Sequence, residues 1–313
     1  MLNYFLKGET GTRMRFMGLV LSTVLVLLSV VTLAQKGLNF GLDFTGGYLT
    51  EFTTSQSIEL EQLKTFIAKN HNGEFELTAQ GNNHFQLREA PAINQSANNN
   101  SNDWQSAVTQ STDINATVLS SAYIGSQVGD ELFEQGCLAL LAAMVAVMLY
   151  LAIRFEWRLA VGSVVALTHD LILVLGLFSL LQLEFNLTVL ASLLAIIGYS
   201  LNDSIIVGDR VRELLRVKLN ASISVSSIIN SAIKSTLTRT IITSGTTLAT
   251  VASVWLLAGS PLQGFAIALF SGIVVGTFSS ICIAATLPEL MGLSAKNYEV
   301  KIDSQSQALM DMP

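Results

Sequence analysis

The chain has 313 residues, half of them apolar and only 13% charged, where an ordinary soluble domain carries about 25% charged residues. Its mean hydropathy is +0.52, and the apolar residues fall in blocks of about twenty, so the pattern is that of a polytopic α-helical membrane protein and not of a soluble enzyme. A pI near 5.1 and a net charge of −6 exclude the basic face of a nucleic-acid binder.

Residues 1–15 form a short basic lead with Lys7, Arg13 and Arg15. Residues 16–34 are the first predicted span; they exceed the apolar core of a signal peptide and no A-x-A site follows, so the span is read as uncleaved. Five more spans are predicted over 136–153, 159–183, 185–207, 240–258 and 262–287. Together these five make a bundle over 136–290, with a loop at 208–239 and a tail at 291–313. The basic residues sort by segment. Arg154 and Arg158 lie between spans 2 and 3, and Arg210, Arg212, Arg216, Lys218, Lys234 and Arg239 between spans 4 and 5. Under the positive-inside rule both termini and these loops face the cytoplasm, giving an N-in, C-in topology with residues 35–135 outside.

That outer segment holds four basic and twelve acidic residues, and its net −8 outweighs the +2 of the rest. Tyr48, Thr50 and Phe52 alternate as a strand. Ser57 stands as an N-cap, with Glu59 and Glu61 in the first turn and Leu63, Phe66 and Ile67 as the apolar face of a helix reaching about Asn70. Segments 75–79 and 84–88 flank Gly81-Asn82-Asn83 as a hairpin. Residues 92–112 are crowded with Asn, Ser and Gln and predict at most a short helix at 104–108, before a last strand over 117–123. The order predicts a small α+β domain. His71 and His84 are isolated, with no second ligand at metal spacing, and are read as surface or packing residues. Cys137 and Cys282 fall inside spans and are read as apolar filler, not as a disulfide.

The informative residues are the ionisable ones inside spans: His169 and Asp170 in span 3, Asp203 in span 4, and Arg239 opening span 5. Such groups cost at least about 2.5 kcal/mol each at the membrane centre, so each is a functional hypothesis by default. Helical rise places Asp170 about 18 Å from Arg158, near mid-membrane, and Asp203 about 9 Å from Asp209. His169 and Asp170 are sequence neighbours and should point to different faces. In span 5, Arg239, Thr243, Thr246, Thr250 and Ser253 recur as one polar stripe, which either lines a wet path or bonds its own backbone. In span 4, Ser192, Tyr199 or Ser200, and Asp203 share a face, with Asn202 beside them. Gly272-x-x-x-Gly276 in span 6 is a close-packing signature. Burial raises and a nearby Arg lowers a carboxyl pKa, so Asp203 beside Arg239 is suited to a proton-coupled cycle, with Asp170 as a station nearer the outside.

Several stretches in order resemble the SecF family of protein translocase subunits, within the SecD/SecF group of the resistance-nodulation-division superfamily. They are Phe40-Gly41-Leu42-Asp43-Phe44-Thr45-Gly46-Gly47, Ile124-Gly125-Ser126-Gln127-Val128-Gly129, Arg154-Phe155-Glu156-Trp157-Arg158, Ile197-Gly198-Tyr199-Ser200-Leu201-Asn202-Asp203, Asp209-Arg210-x-Arg212-Glu213 and Thr238-Arg239-Thr240-Ile241-Ile242-Thr243-Ser244. The resemblance covers about residues 16–290. It implies six transmembrane helices with a ferredoxin-like periplasmic domain after the first, in the bacterial inner membrane. It also implies pairing with SecD beside SecYEG and YajC, and use of the proton-motive force to assist preprotein export, with protons as the coupling ion and neither cofactor nor metal. Asp203 and Arg239 match the family's proton-handling carboxylate and its basic partner. The Asn- and Ser-rich 92–112 stretch and the weakly charged 220–227 segment depart from the pattern, as a divergent second copy would. The Asp43-Phe44-Thr45-Gly46-Gly47 element reads mainly as a tight turn whose glycines permit positive φ, with direct preprotein contact as the minor reading.

Three other readings compete. A homodimeric small-molecule exporter of the same superfamily would want an aromatic pocket in the outer domain, which has few aromatics. An intramembrane aspartyl protease would need Tyr-Asp and Gly-x-Gly-Asp motifs, where this chain has His169-Asp170 and Leu201-Asn202-Asp203. A structural adaptor would tolerate Asp203→Asn and Arg239→Met.

Overall fold

The structure, a computed structural model, describes residues 9–70, 75–79, 81, 83–89, 115–217, 224–259 and 262–294. Among these described residues, six helices are long and apolar enough to cross a bilayer. They are α1 (Glu9–Lys36), α4 (Ser126–Arg154), α5 (Trp157–Leu181), α6 (Leu187–Val217), α7 (Val225–Leu257) and α8 (Gln263–Ser279), the last running on through a π-helical turn, Ser280–Ala284, to the short α9 (Leu287–Leu290).

Most of these helices outrun the apolar blocks. Helix α4 starts at Ser126, so ten residues expected in the polar domain belong to it, and α7 starts at Val225, fifteen residues before the block at 240. Arg239 is therefore mid-helix and does not open it. Hydropathy marks the part of a helix that lipid touches, whereas the helix itself ends where a cap satisfies its open N–H groups. Ser224 caps α7 by accepting from the Ser227 N–H, and Glu156 caps α5 by accepting from the Arg158 N–H.

Helices α5, α6 and α8 form the inner layer, and α1 packs along α5. At one end of the bundle Leu167, Leu171, Val174 and Phe178 of α5 interlock with Val189, Leu193 and Ile196 of α6. At the other, Phe155, Val207, Val211, Leu215, Ile229 and Ile233 form a second core. The outer helices expose apolar side chains, among them Met17, Leu27, Leu141, Ile153 and Leu256. On helices of this length such a surface is met by lipid tails or by a partner helix.

Between α1 and α4 lie β1 (Asn39–Phe40), the one-turn helix α2 (Leu42–Thr45), β2 (Gly47–Thr54), α3 (Leu60–Asn70), β3 (Phe75–Ala79), β4 (His84–Glu89) and β5 (Ala116–Ile124). Strands β2 to β5 form an antiparallel sheet in the order β3-β4-β2-β5, with a bulge in β2 between Glu51 and Phe52. Phe52, Phe85 and Leu87 on one face of the sheet pack against Leu63 and Ile67 of α3, all essentially fully buried. Helix α3 begins at Leu60, so Ser57 lies ahead of the capping position. His84 is exposed on β4, whereas His71 and the 92–112 stretch lie outside the described residues. The sheet domain is tied to the bundle by β1, which pairs in parallel with β6 (Glu184–Phe185) just before α6, and by an Arg88–Glu184 ion pair of 2.5 Å.

Candidate functional site

Helix α6 turns Ser192, Ser200, Asp203 and Ser204 into the bundle, and Asn202 outward. Asp203 is 1% exposed. Neither carboxylate oxygen has a hydrogen-bond partner among the described residues, and the same holds for Ser204 Oγ, Tyr199 OH and Thr240 Oγ1. From α7 the Ser244 hydroxyl comes near Asp203 without meeting hydrogen-bond geometry, being 2.8 Å from Thr277 Oγ1 of α8, and Arg239 contributes its charge. Buried polar groups are almost always satisfied. Asp203, Tyr199, Ser204 and Thr240 are exceptions to this rule among the described residues.

Asp170 lies close by in a contrasting setting. Its Oδ2 accepts from Ser200 Oγ of α6 at 2.5 Å and from Ser279 Oγ of α8 at 2.9 Å, and Oδ1 is 2.9 Å from His169 Nδ1. Gly276 leaves room for this, since a Cβ there would press on Ser200 Cβ at 3.2 Å, whereas a Cβ on Gly272 would collide with the Ile196 side chain. Two expectations need correction. His169 and Asp170 do not point to separate faces, because each side chain bends along α5 until the two meet, both of them buried. Nor do the aspartates lie at well separated depths, because Asp170 reaches α6 at Ser200, three residues and about 4.5 Å of helix rise from Asp203.

The α7 stripe also needs correction as a lining within this chain. Arg239, Thr246, Thr250 and Ser253 are exposed and Thr243 is half-buried, while the hydroxyl residues facing inward are Thr236, Thr240 and Ser244. Thr243, Thr246, Thr250 and Ser253 each donate to the carbonyl four residues back at 2.9–3.1 Å, the local bond that serine and threonine make on a helix.

By its place in the sequence Arg15 is a charge flanking the first span. It is 2% exposed and donates to Asn230 Oδ1 (2.8 Å), Ser226 Oγ (3.1 Å), Thr286 Oγ1 (3.2 Å) and Glu289 Oε2 (2.9 Å), fastening α1 to the start of α7 and to α9 with the residue that precedes it. Two distant motifs meet on the same side, where Asp209 pairs with Arg154 at 3.0 Å and with Arg212 at 2.8 Å. No local pattern distinguishes these arginines from solvated ones.

At the opposite end, Gly46 (φ +68°) and Gly47 (φ +129°) carry the chain from α2 into β2, a path that only glycine follows without strain. Asp43 Oδ2 accepts the Leu187 N–H at 3.0 Å. Glu89, at the end of β4 beside Gly47, is buried, and burial pushes its carboxyl up to about 6.

Comparison with known proteins bears on this arrangement. The family profile "Protein export membrane protein SecD/SecF, C-terminal" matches residues 104–293, and "SecD/SecF GG Motif" matches residues 31–58. The chain is 38% identical over 296 residues to the protein translocase subunit SecF of Vibrio alginolyticus, covering 94% of this chain and 93% of that one. It is 37% identical over 298 residues to the Escherichia coli O157:H7 SecF, covering 95% and 92%. The crystal structure of SecDF from Thermus thermophilus, a translocon-associated membrane protein, superposes with a TM-score of 0.77 at 32% identity, over 91% of this chain. The chain spans 38% of that SecDF chain.

Proposed function

The chain belongs to the SecF family of protein translocase subunits, and from that premise we propose that it is the accessory Sec-export subunit that couples inward proton movement at Asp203 and Arg239 to motion of the sheet domain. The observation that carries this reading is the Asp203 carboxylate, buried with both oxygens open among unsatisfied hydroxyls. A carboxylate held that way in a membrane interior serves no packing purpose, and gain or loss of a proton changes its charge where little screens it.

The topology follows from the charge count. With the basic loops inside, the sheet domain faces the periplasm and both termini face the cytoplasm, and kinship with SecF points to the bacterial inner membrane as the location. The strand order β3-β4-β2-β5 with α3 on one face supports a ferredoxin-like domain. Six helices supply one half of a pseudo-symmetric assembly, and SecD supplies the other. The outward face of α7, with exposed Arg239 and its line of hydroxyls, turns toward that half, which completes the wet path that this chain leaves open. SecYEG and YajC are the neighbours in the membrane, and the preprotein is met on the periplasmic side.

The test is pulse-labelled export of a secreted protein in cells depleted of the resident SecF, complemented at matched expression. Rescue by the unmodified chain and none by Asp203→Asn or Arg239→Met is the expected outcome. Equal rescue by the variants would reduce the chain to a structural adaptor.

A further inference from the structure

Helix α6 opens with N–H groups that have no partner within the helix. Asn186, just ahead of it, caps locally, its Oδ1 accepting from the Val189 N–H at 3.1 Å. The Leu187 N–H is instead taken by Asp43, a side chain from 144 residues earlier in the chain. The carboxylate also places a negative charge at the positive end of a 31-residue helix, where charge and dipole attract.

The turn that carries Asp43 is held hard on the bundle side. The Gly41 N–H donates to the Phe185 carbonyl at 2.8 Å. Phe44 stacks on Phe185 and meets Phe133 of α4 edge-on, with centroids 5.8 and 5.6 Å apart. Gly129 lets the α4 backbone approach that of Phe44. On the other side of the turn the chain leaves through Gly46 and Gly47 into β2, which pairs with both β4 and β5. Rigid contacts on one side and two glycines on the other are the makings of a pivot. Helix α6 then continues from Leu187 to Val217 with Asp203 sixteen residues along it, about 24 Å away by helix rise.

We propose that Asp43 is a positioning residue that links movement of the sheet domain to helix α6, and through α6 to the Asp203 pocket. The linkage rests on the reading of Asp203 given above and names its mechanical route. Asp43 sits on the bundle side of the turn, so a helix end capped by it takes up movement that the sheet domain passes through Gly46 and Gly47, in addition to what the β1–β6 pairing and the Arg88–Glu184 pair carry. The Asp-Phe-Thr-Gly-Gly element is then a joint, with Asp43 and Phe44 gripping the bundle and the glycines leading into β2.

The test uses the full chain co-purified with its SecD partner in lipid nanodiscs, read by hydrogen–deuterium exchange of the β2 amides at 48–54. Asp203→Asn in the otherwise unmodified chain is expected to change exchange in β2. That response is expected to be lost when Asp203→Asn is combined with Asp43→Ala, and equally with Leu187→Pro, which deletes the donor at a first helical position that tolerates proline. It is expected to survive Asp43→Asn, whose amide oxygen accepts the same bond, and Asn186→Ala, which weakens the local cap alone. Leu187→Pro keeps the test decisive where Asp43→Ala does not accumulate. A β2 response that persists in both Asp43→Ala and Leu187→Pro overturns the joint. Export lost in Asp203→Asn with no β2 response in the unmodified chain also overturns it, leaving the reading of Asp203 intact. Export retained in Asp203→Asn overturns that reading and the joint with it.

Discussion

Asp170 and Asp203 are two buried aspartates about one helical turn apart in height, yet they are opposites. Asp170 is saturated, with two serine hydroxyls and an imidazole from three helical positions closing on one carboxylate. Asp203 is equally buried but has no hydrogen bond to either oxygen among the described residues. The first arrangement fixes α5, α6 and α8 in register. The second leaves a charge whose state can change without breaking a contact. Burial alone therefore does not distinguish the two, whereas the number of open hydrogen-bonding positions does.

The contrast makes graded predictions. The largest effect belongs to Asp203→Asn, which should abolish export rescue while the purified chain keeps its thermal stability, because no hydrogen bond to that carboxylate is lost. A melting temperature that falls along with export would place Asp203 among the structural residues. Arg15→Ala should behave in the reverse way, destabilising the chain by about 3 kcal/mol, since it leaves Glu289 and Asn230 without their shared partner. Denaturation in mixed micelles at matched expression measures it, and a cost near zero would show that water replaces the guanidinium there.

Asp170→Ala should cost about 2 kcal/mol by orphaning the Ser200 and Ser279 hydroxyls. Asp170→Asn retains an acceptor and should keep most of the stability and most of the export. If Asp170→Asn instead matches Asp203→Asn in export, the clamp is part of the proton route and the contrast fails.

Glu89 is a third buried carboxylate, outside the bundle. Its folded pKa of about 6 lies above the ordinary 4.5. The native state thus holds this proton more tightly than the unfolded chain. Its contribution is fully present below about pH 4.5 and is lost as pH rises through about 6. Thermal melting against pH should therefore show a falling step in that window, and Glu89→Gln should flatten it. The smallest effect is expected at Thr250→Val, an exposed hydroxyl bonded to its own helix, where the isolated chain should change by no more than about 0.5 kcal/mol. A loss of SecD co-purification in that variant would locate the partner on this face of α7.

Much of the architecture was legible in the sequence. The six spans, the strands around Phe52, 75–79, 84–88 and 117–123, and the helix with Leu63 and Ile67 inward all follow from hydropathy and periodicity. The ionisable positions inside the spans were legible for the same reason, as exceptions to an apolar run. Helix ends were less so, as α4 and α7 show, because an amphipathic extension looks like a loop to a hydropathy window. The threonine stripe of α7 was visible as a stripe, but its direction was not: a period of 3.6 shows that residues share a face and is silent on what the face meets.

The sequence by itself determined where the chain is apolar, where charges interrupt it and which residues share a face, since these are properties of neighbours along a single chain. Only the tertiary structure decided that Asp170 is clamped and Asp203 open, that Arg15 binds α7 and α9, and that Asp43 caps α6. The interhelical bonds to Asp170 and those of Arg15 and Asp43 join residues 30 to 274 positions apart. Such contacts depend on how far each helix is rotated and slid against its neighbours, and that is set by the summed packing of side chains from several helices at once, which no local pattern records.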